Sequence, residues 1–155
     1  MSKQYPTPTV EERVRFILAG RAILSVVSKK TGLKLTYYIS KPKSGNRVRW
    51  VSVREDRLDG QGWGYVGFII MEPKKNTPYD GPHPFLWGGA NKSAFTKGDR
   101  RVQGWDWLWR HLCNGGDISD KVDMFHTGMC GRCGRKLVEP SSLRVGLGPV
   151  CRTKV

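Results

Sequence analysis

The stretch Ala22–Ser40, AILSVVSKKTGLKLTYYIS, decides the fold. Residues Ala22 to Val27 are mostly apolar and β-branched, a composition that suits a pleated, half-buried surface. Ser28 to Gly32 supplies a turn, and Gly32 is free to take the positive φ that a tight reversal needs. Beyond it, Leu33, Leu35, Tyr37 and Ile39 alternate with Lys34, Thr36, Tyr38 and Ser40. A period of two sends one set to a buried face and the other to a wet face. The stretch therefore predicts an antiparallel hairpin.

Outward from the hairpin the pattern repeats. KPKSGN (41–46) reads as the next turn. RVRWVSVR (47–54) and WGYVGFIIME (63–72) read as two more strands, joined by the Gly-rich EDRLDGQG (55–62). PFLWGG (84–89) ends an antiparallel sheet of four or more strands. Upstream, TVEERVRFILAG (9–20) has Thr9 and Glu12 at capping-box spacing, and Val10, Val14, Ile17 and Leu18 at helical spacing, with Gly20 able to end the helix. RFIL is short enough that a strand from Arg13 competes. Downstream, DRRVQGWDWLWRHLC (99–113) places Val102, Trp105, Leu108, Trp109 and Leu112 three and four apart, behind Asp99 as N-cap. Trp105 and Trp109 could form a base-stacking platform, but an apolar stripe of helical period is more often core. The expected class is α+β: a small antiparallel sheet packed by a Trp-rich helix in residues 1–118, then a C-terminal zinc-binding module in residues 119–155. NGGDISDK (114–121) is the expected linker.

Charge narrows the partners. The 155 residues carry 27 Lys and Arg against 13 Asp and Glu, a net +14. No acidic residue falls between Glu12 and Glu55, a span holding eleven basic ones. A field of that sign attracts polyanions by Coulomb forces and counterion release. Nucleic acid or a nucleoprotein complex is the expected partner. No apolar run approaches the roughly 20 residues that span a bilayer, so no membrane partner is expected. The start, MSKQYPTPTVEERVRF, lacks an apolar signal core, so a cytoplasmic, reducing location is expected. There the four cysteines read as ligands or buried thiols, not disulfides.

Three of them stand in HTGMCGRCGRKLVEPSSLRVGLGPVC (126–151) as Cys130, Cys133 and Cys151. A C-x-x-C turn lets two thiolates converge on one tetrahedral zinc ion with bonds of about 2.3 Å. Gly131 and Gly134 let the backbone fold tightly and turn N–H groups toward the sulfurs. His126, four residues before Cys130, and Cys113, at the end of the predicted helix, compete for the fourth place. A short, polar, Gly-rich tail has little apolar surface with which to fold alone, and a metal supplies that energy in small domains. Pro140 suits a first helical turn and Gly146 its end.

These residues resemble a small cysteine-rich module of unassigned function, widespread in phage, plasmid and actinobacterial proteins. His126, Gly128, Cys130, Cys133, Gly134, Arg135, Leu137, Pro140, Ser142, Gly146, Gly148, Pro149 and Cys151 match its pattern. Thr127 stands where the pattern has Glu. The upstream sheet region also looks like the domain that often precedes the module. The resemblance implies architecture and no activity. It favours His126 as the fourth ligand of one structural zinc, with Cys130, Cys133 and Cys151, and leaves Cys113 a bystander thiol.

A zinc with four protein ligands has no open position for water, and the chain shows no nucleotide-binding fingerprint. His83 near Asp80 is the one candidate catalytic pair, and no nucleophile stands beside it. The expectation is therefore a non-catalytic, zinc-binding accessory protein for single-stranded DNA or structured RNA, phage or mobile-element encoded. Lys29, Lys30, Lys34, Tyr38, Arg47 and Arg49 would supply charge and stacking, with Arg132, Arg135 and Lys136 added by the knuckle. The alternative is a phage-type interaction protein that docks on a host nucleic-acid machine: a polymerase, a ribosome or a defence effector.

Overall fold

A computed structural model of the chain describes residues 5–6, 9–55, 62–72, 83–116 and 118–154. Seven strands form one antiparallel sheet: β1 (Tyr5–Pro6), β2 (Arg21–Ser28), β3 (Lys34–Ser40), β4 (Val48–Glu55), β5 (Gly64–Ile70), β6 (Phe85–Trp87) and β7 (Val122–His126), in the order β1-β7-β2-β3-β4-β5-β6. Among the described residues four helices accompany them: α1 (Val10–Ile17), α2 (Arg100–Cys113), α3 (Pro140–Val145) and α4 (Cys151–Lys154). None is long and apolar enough to cross a membrane.

The hairpin forms as its alternation requires. β2 and β3 pair from Arg21↔Ser40 to Val27↔Lys34, and Gly32 closes the turn at φ 74°. Ala22, Leu24, Leu35, Tyr37, Ile39, Val51 and Val53 share one face and are buried. The loop 56–61 between β4 and β5 lies outside the described residues.

Helix α1 begins as the capping box predicts: Thr9 Oγ1 accepts from the Glu12 N–H at 3.3 Å. It is a helix and not a strand from Arg13. Its cap is Leu18, two residues short of the expected Gly20. In α2 the Asp99 carboxylate caps the Arg101 N–H at 2.9 Å. Trp105 is fully buried, 5.0 Å from the Tyr37 ring and 6.5 Å from Phe85, and stacks on Trp109 at 6.0 Å and 8°. The Tyr37 hydroxyl donates to the Arg101 carbonyl at 2.8 Å. Aromatic pairs of this kind add about 0.5–1.5 kcal/mol each beyond their buried area. Trp105 and Trp109 are thus closed to bases.

β7 follows α2 and inserts between β1 and β2, pairing with β2 from Leu24↔His126 to Ser28↔Val122. The polar stretch before it is only a short turn, with the Lys121 and Val122 N–H groups donating to the Ile118 carbonyl at 3.0 Å. The strand that leads into the cysteine segment is therefore an interior strand of the sheet.

Candidate metal centre and open sheet face

The cysteine segment is built on β7. After His126, Gly128 at φ 84° reverses the chain, and the Leu137 N–H donates to the Gly128 carbonyl at 2.8 Å. The knuckle closes where the Cys130 N–H meets the Arg135 carbonyl at 2.8 Å and the Gly134 N–H meets the Cys130 carbonyl at 2.9 Å. Gly134 sits at φ 79°, a left-handed conformation that costs other residues about 1–2 kcal/mol. Gly131 serves a different end. A Cβ there would lie 2.5 Å from Phe16 Cδ2, so the knuckle rests directly on the ring of α1. Gly146, the αL cap of α3, presses on the same ring, where its Cβ would come within 2.7 Å. The Arg144–Glu12 ion pair at 3.1 Å and the Arg21 N–H to Gly131 carbonyl bond at 2.6 Å tie the segment further to α1 and β2.

Three of the four expected ligands converge. The sulfurs of Cys130, Cys133 and Cys151 lie within 4.8 Å of one another, and no disulfide joins them. Tetrahedral zinc with bonds of about 2.3 Å needs sulfurs about 3.8 Å apart, a spacing that falls inside this limit. Burial pushes the Cys130 thiol up, but the N–H groups of Cys133, Gly148 and Arg132 outweigh it and hold it down to about 7. The Gly148 N–H stands 3.4 Å from its sulfur. Burial and the neighbouring sulfurs raise Cys151, against the Arg132 guanidinium at 3.9 Å. A trio with N–H donors around Cys130 can hold a metal ion.

His126 is not in the trio. Its Nδ1 accepts from the Gly128 N–H at 3.0 Å, so its Nε2 carries the proton and donates to the Leu143 carbonyl at 2.6 Å. The reason is register: pairing with Leu24 turns the ring onto the core face, 5.5 Å from Phe16. Burial lowers its pKa, against the Leu143 bond, and keeps the ring neutral. Cys113 also stands apart from the trio, half-buried at the end of α2, with burial pushing its thiol up to about 11. A cavity of about 350 Å³ borders the trio, and among the described residues Glu139 is its one lining carboxylate. Ser142 Oγ lines it too, buried and without a hydrogen-bond partner among the described residues.

The expected nucleic-acid residues fall in four places. Lys29 and Lys30 are exposed at the β2–β3 turn, with Lys29 3.7 Å from Asp123, and Lys34 begins β3 beside them. Arg47 is exposed at the other end of the sheet, about 20 Å away along β3 at 3.3 Å per residue. Arg49 beside it is buried. Arg132, Arg135 and Lys136 are exposed on the knuckle. Tyr38 lies in mid-strand on the sheet face opposite the core, the face that Lys34 shares at the start of β3.

That opposite face carries a feature missing from the sequence-based list. Tyr38, Ser52 and Tyr65 align across β3, β4 and β5, and Trp50 aligns with Phe68. Trp63 leans on Tyr38 at 5.7 Å, and the Arg54 guanidinium lies 5.1 Å above the Trp63 ring. Trp50 meets Tyr65 and Phe68 edge-on, each at 6.0 Å. Trp50 and Trp63 are both 39% exposed. The contacts of α1, α2 and α3 with Phe16, Tyr37 and His126 place these helices on the core face, so among the described residues no helix covers these rings. The signal was present in RVRWVSVR: a period of two assigns Trp50, Ser52 and Arg54 to the wet face.

His83, the expected partner of Asp80, lies at the start of the segment that leads into β6. Its carbonyl accepts from Trp109 Nε1 at 2.6 Å, and Asp80 lies outside the described residues.

Residues 123–155 match a family described as "Family of unknown function (DUF6011)". No curated protein and no solved structure matches the chain.

Proposed function

We infer that the protein binds single-stranded nucleic acid by stacking bases on its open sheet face, and that one zinc ion on Cys130, Cys133 and Cys151 holds the C-terminal segment in place. The observation that carries the reading is the row of exposed Trp50, Trp63 and Arg54 beside half-buried Tyr38, on the side of a strongly basic chain that no described helix covers. A sheet face with aromatic rings and flanking cations is a known way to hold unpaired bases, because every base offers a π-face and every nucleotide a charge.

Zinc suits the donor set, since soft thiolates at tetrahedral spacing select it over oxygen-loving cations. Its role here is structural: it would fix the knuckle against Phe16 and so fix β7 in the sheet. The fourth donor is sought on the side of the cavity that Glu139 lines, because both His126 nitrogens are already bonded.

Affinity for a labelled single-stranded 12-mer tests the binding claim. Trp50→Ala and Trp63→Ala should each weaken it by about 5- to 150-fold, the equivalent of about 1–3 kcal/mol per stacked base. Wild-type affinity in both variants would refute the stacking face. Retention of a lysate partner after nuclease treatment would favour the protein-docking reading instead.

A further inference from the structure

Where α1, the β3–β4 turn and the knuckle meet, two cavities of about 450 and 490 Å³ adjoin, sharing Ala19, Lys41 and Arg132 in their walls. Lys154 and Arg49 line the first, Arg21 and Lys43 the second. Among the described residues no Asp or Glu lines either one. The cations come from distant parts of the chain, so their convergence is a product of the fold and not of a local basic run.

Arg49 is the telling residue. It is 5% exposed, and its guanidinium donates to the Leu18 carbonyl at 2.8 Å, the Val48 carbonyl at 3.1 Å and Asn46 Oδ1 at 2.7 Å. All three acceptors are neutral, and an arginine has five N–H donors. A buried charge is normally matched by an opposite one, because its removal from water is costly. His83 lines the same cavity, and its Nδ1 is buried without a hydrogen-bond partner among the described residues. A positioned guanidinium, two ammonium groups and an imidazole nitrogen without a described partner around one cavity suit an anion with several acceptor oxygens and more than one negative charge.

We propose that this seam cleft is a binding site for phosphate groups of a nucleic-acid strand. It rests on the reading that the chain binds nucleic acid, and adds where the backbone is held. Arg132 lies within the knuckle and close to Cys151, so occupancy of the cleft also couples strand binding to the metal-held segment. Lys29 and Lys30, at the far end of the sheet, take no part.

The test compares zinc-loaded full-length wild type with Lys41→Gln/Lys154→Gln and Lys29→Gln/Lys30→Gln, four exposed positions where folding should be unaffected. Binding of a labelled single-stranded 12-mer is measured from low to moderate salt. Each lost phosphate contact on a single strand should lower the slope of log K against log salt by about 0.7, so the seam pair should lose about 1.4 and the distal pair nothing. Equal behaviour of the two pairs overturns the site while leaving the stacking face standing. A second arm measures the unfolding midpoint in inorganic phosphate against chloride at equal ionic strength. Phosphate should raise the midpoint of wild type and not of the seam pair. If wild type binds no oligonucleotide yet shows that rise, the site stands and the nucleic-acid reading falls. If phosphate gives no rise, the site is refuted. Comparison of 5′-phosphorylated with 5′-hydroxyl strands assigns the contact: equal affinities mean internal phosphodiesters, and a gain confined to proteins with Lys41 and Lys154 intact means the terminal group.

Discussion

Gly131→Ala isolates the contact that seats the knuckle. The ideal Cβ would stand 2.5 Å from Phe16 Cδ2, 2.6 Å from Cε2 and 3.1 Å from the Phe16 carbonyl oxygen. Comfortable carbon contacts begin near ~3.5 Å, so the methyl overlaps the ring by about 1 Å. The ring cannot swing aside, because Phe16 is fully buried and Gly146 abuts it at a distance that would put a Cβ 2.7 Å away. Overpacking of this degree costs about 1–3 kcal/mol, and the rigid surroundings argue for about 3. Phe16→Ala alone should cost about 3–5 kcal/mol through its cavity. In the double variant the new methyl enters the space the ring left, so only the carbonyl contact remains against it. The cycle should then show a coupling of about 2 kcal/mol, read from urea unfolding of the zinc-loaded protein at unchanged m. Gly134→Ala is the control: its cost comes from φ 79° and should add to Phe16→Ala without coupling. Additivity of Gly131→Ala with Phe16→Ala to within about 0.5 kcal/mol would refute the packing argument.

Two further outcomes follow from the same site. Elemental analysis of protein purified under reducing conditions should find one zinc per chain in wild type and in His126→Ala, and markedly less in Cys130→Ser, Cys133→Ser or Cys151→Ser; loss of zinc in His126→Ala with retention in a cysteine variant would reverse the ligand assignment. For His126 the folded pKa lies below the usual 6.5, so between the two values the unfolded chain binds more protons and stability rises with pH. Its contribution is therefore complete above about pH 6.5 and falls as pH drops through the folded pKa. The urea midpoint of wild type should approach that of His126→Gln on acidification from pH 7.5 to 5.5, and a gap that stays constant would contradict a neutral, doubly bonded ring.

Much of the sheet could be read from alternation, and its limits are physical. Leu35, Tyr37 and Ile39 announce a buried face because each is flanked by polar neighbours. β7 was hidden in VDMFH, five residues with one charge, whose strand form depends on edges supplied by β1 and β2. That same pairing decides the fate of His126. Ligand spacing makes it an attractive fourth donor, whereas register with Leu24 turns its ring into the core, a relation between residues about a hundred positions apart. Gly131 shows a similar gap. Its place inside C-x-x-C explains a tight turn, but the need for glycine comes from Phe16, which no local pattern connects to it. Arg49 looked like one basic residue among many. Only the fold reveals it as buried among neutral acceptors.

The central claim is that a basic chain with an open aromatic sheet face holds single strands. A salt series of labelled single-stranded DNA and RNA titrations against the zinc-loaded protein tests it most directly. The account predicts binding at low salt that weakens linearly on a log–log plot, with a slope of about −0.7 for each phosphate engaged, and quenching of tryptophan fluorescence on saturation. Absence of binding to either strand at the lowest salt would contradict it.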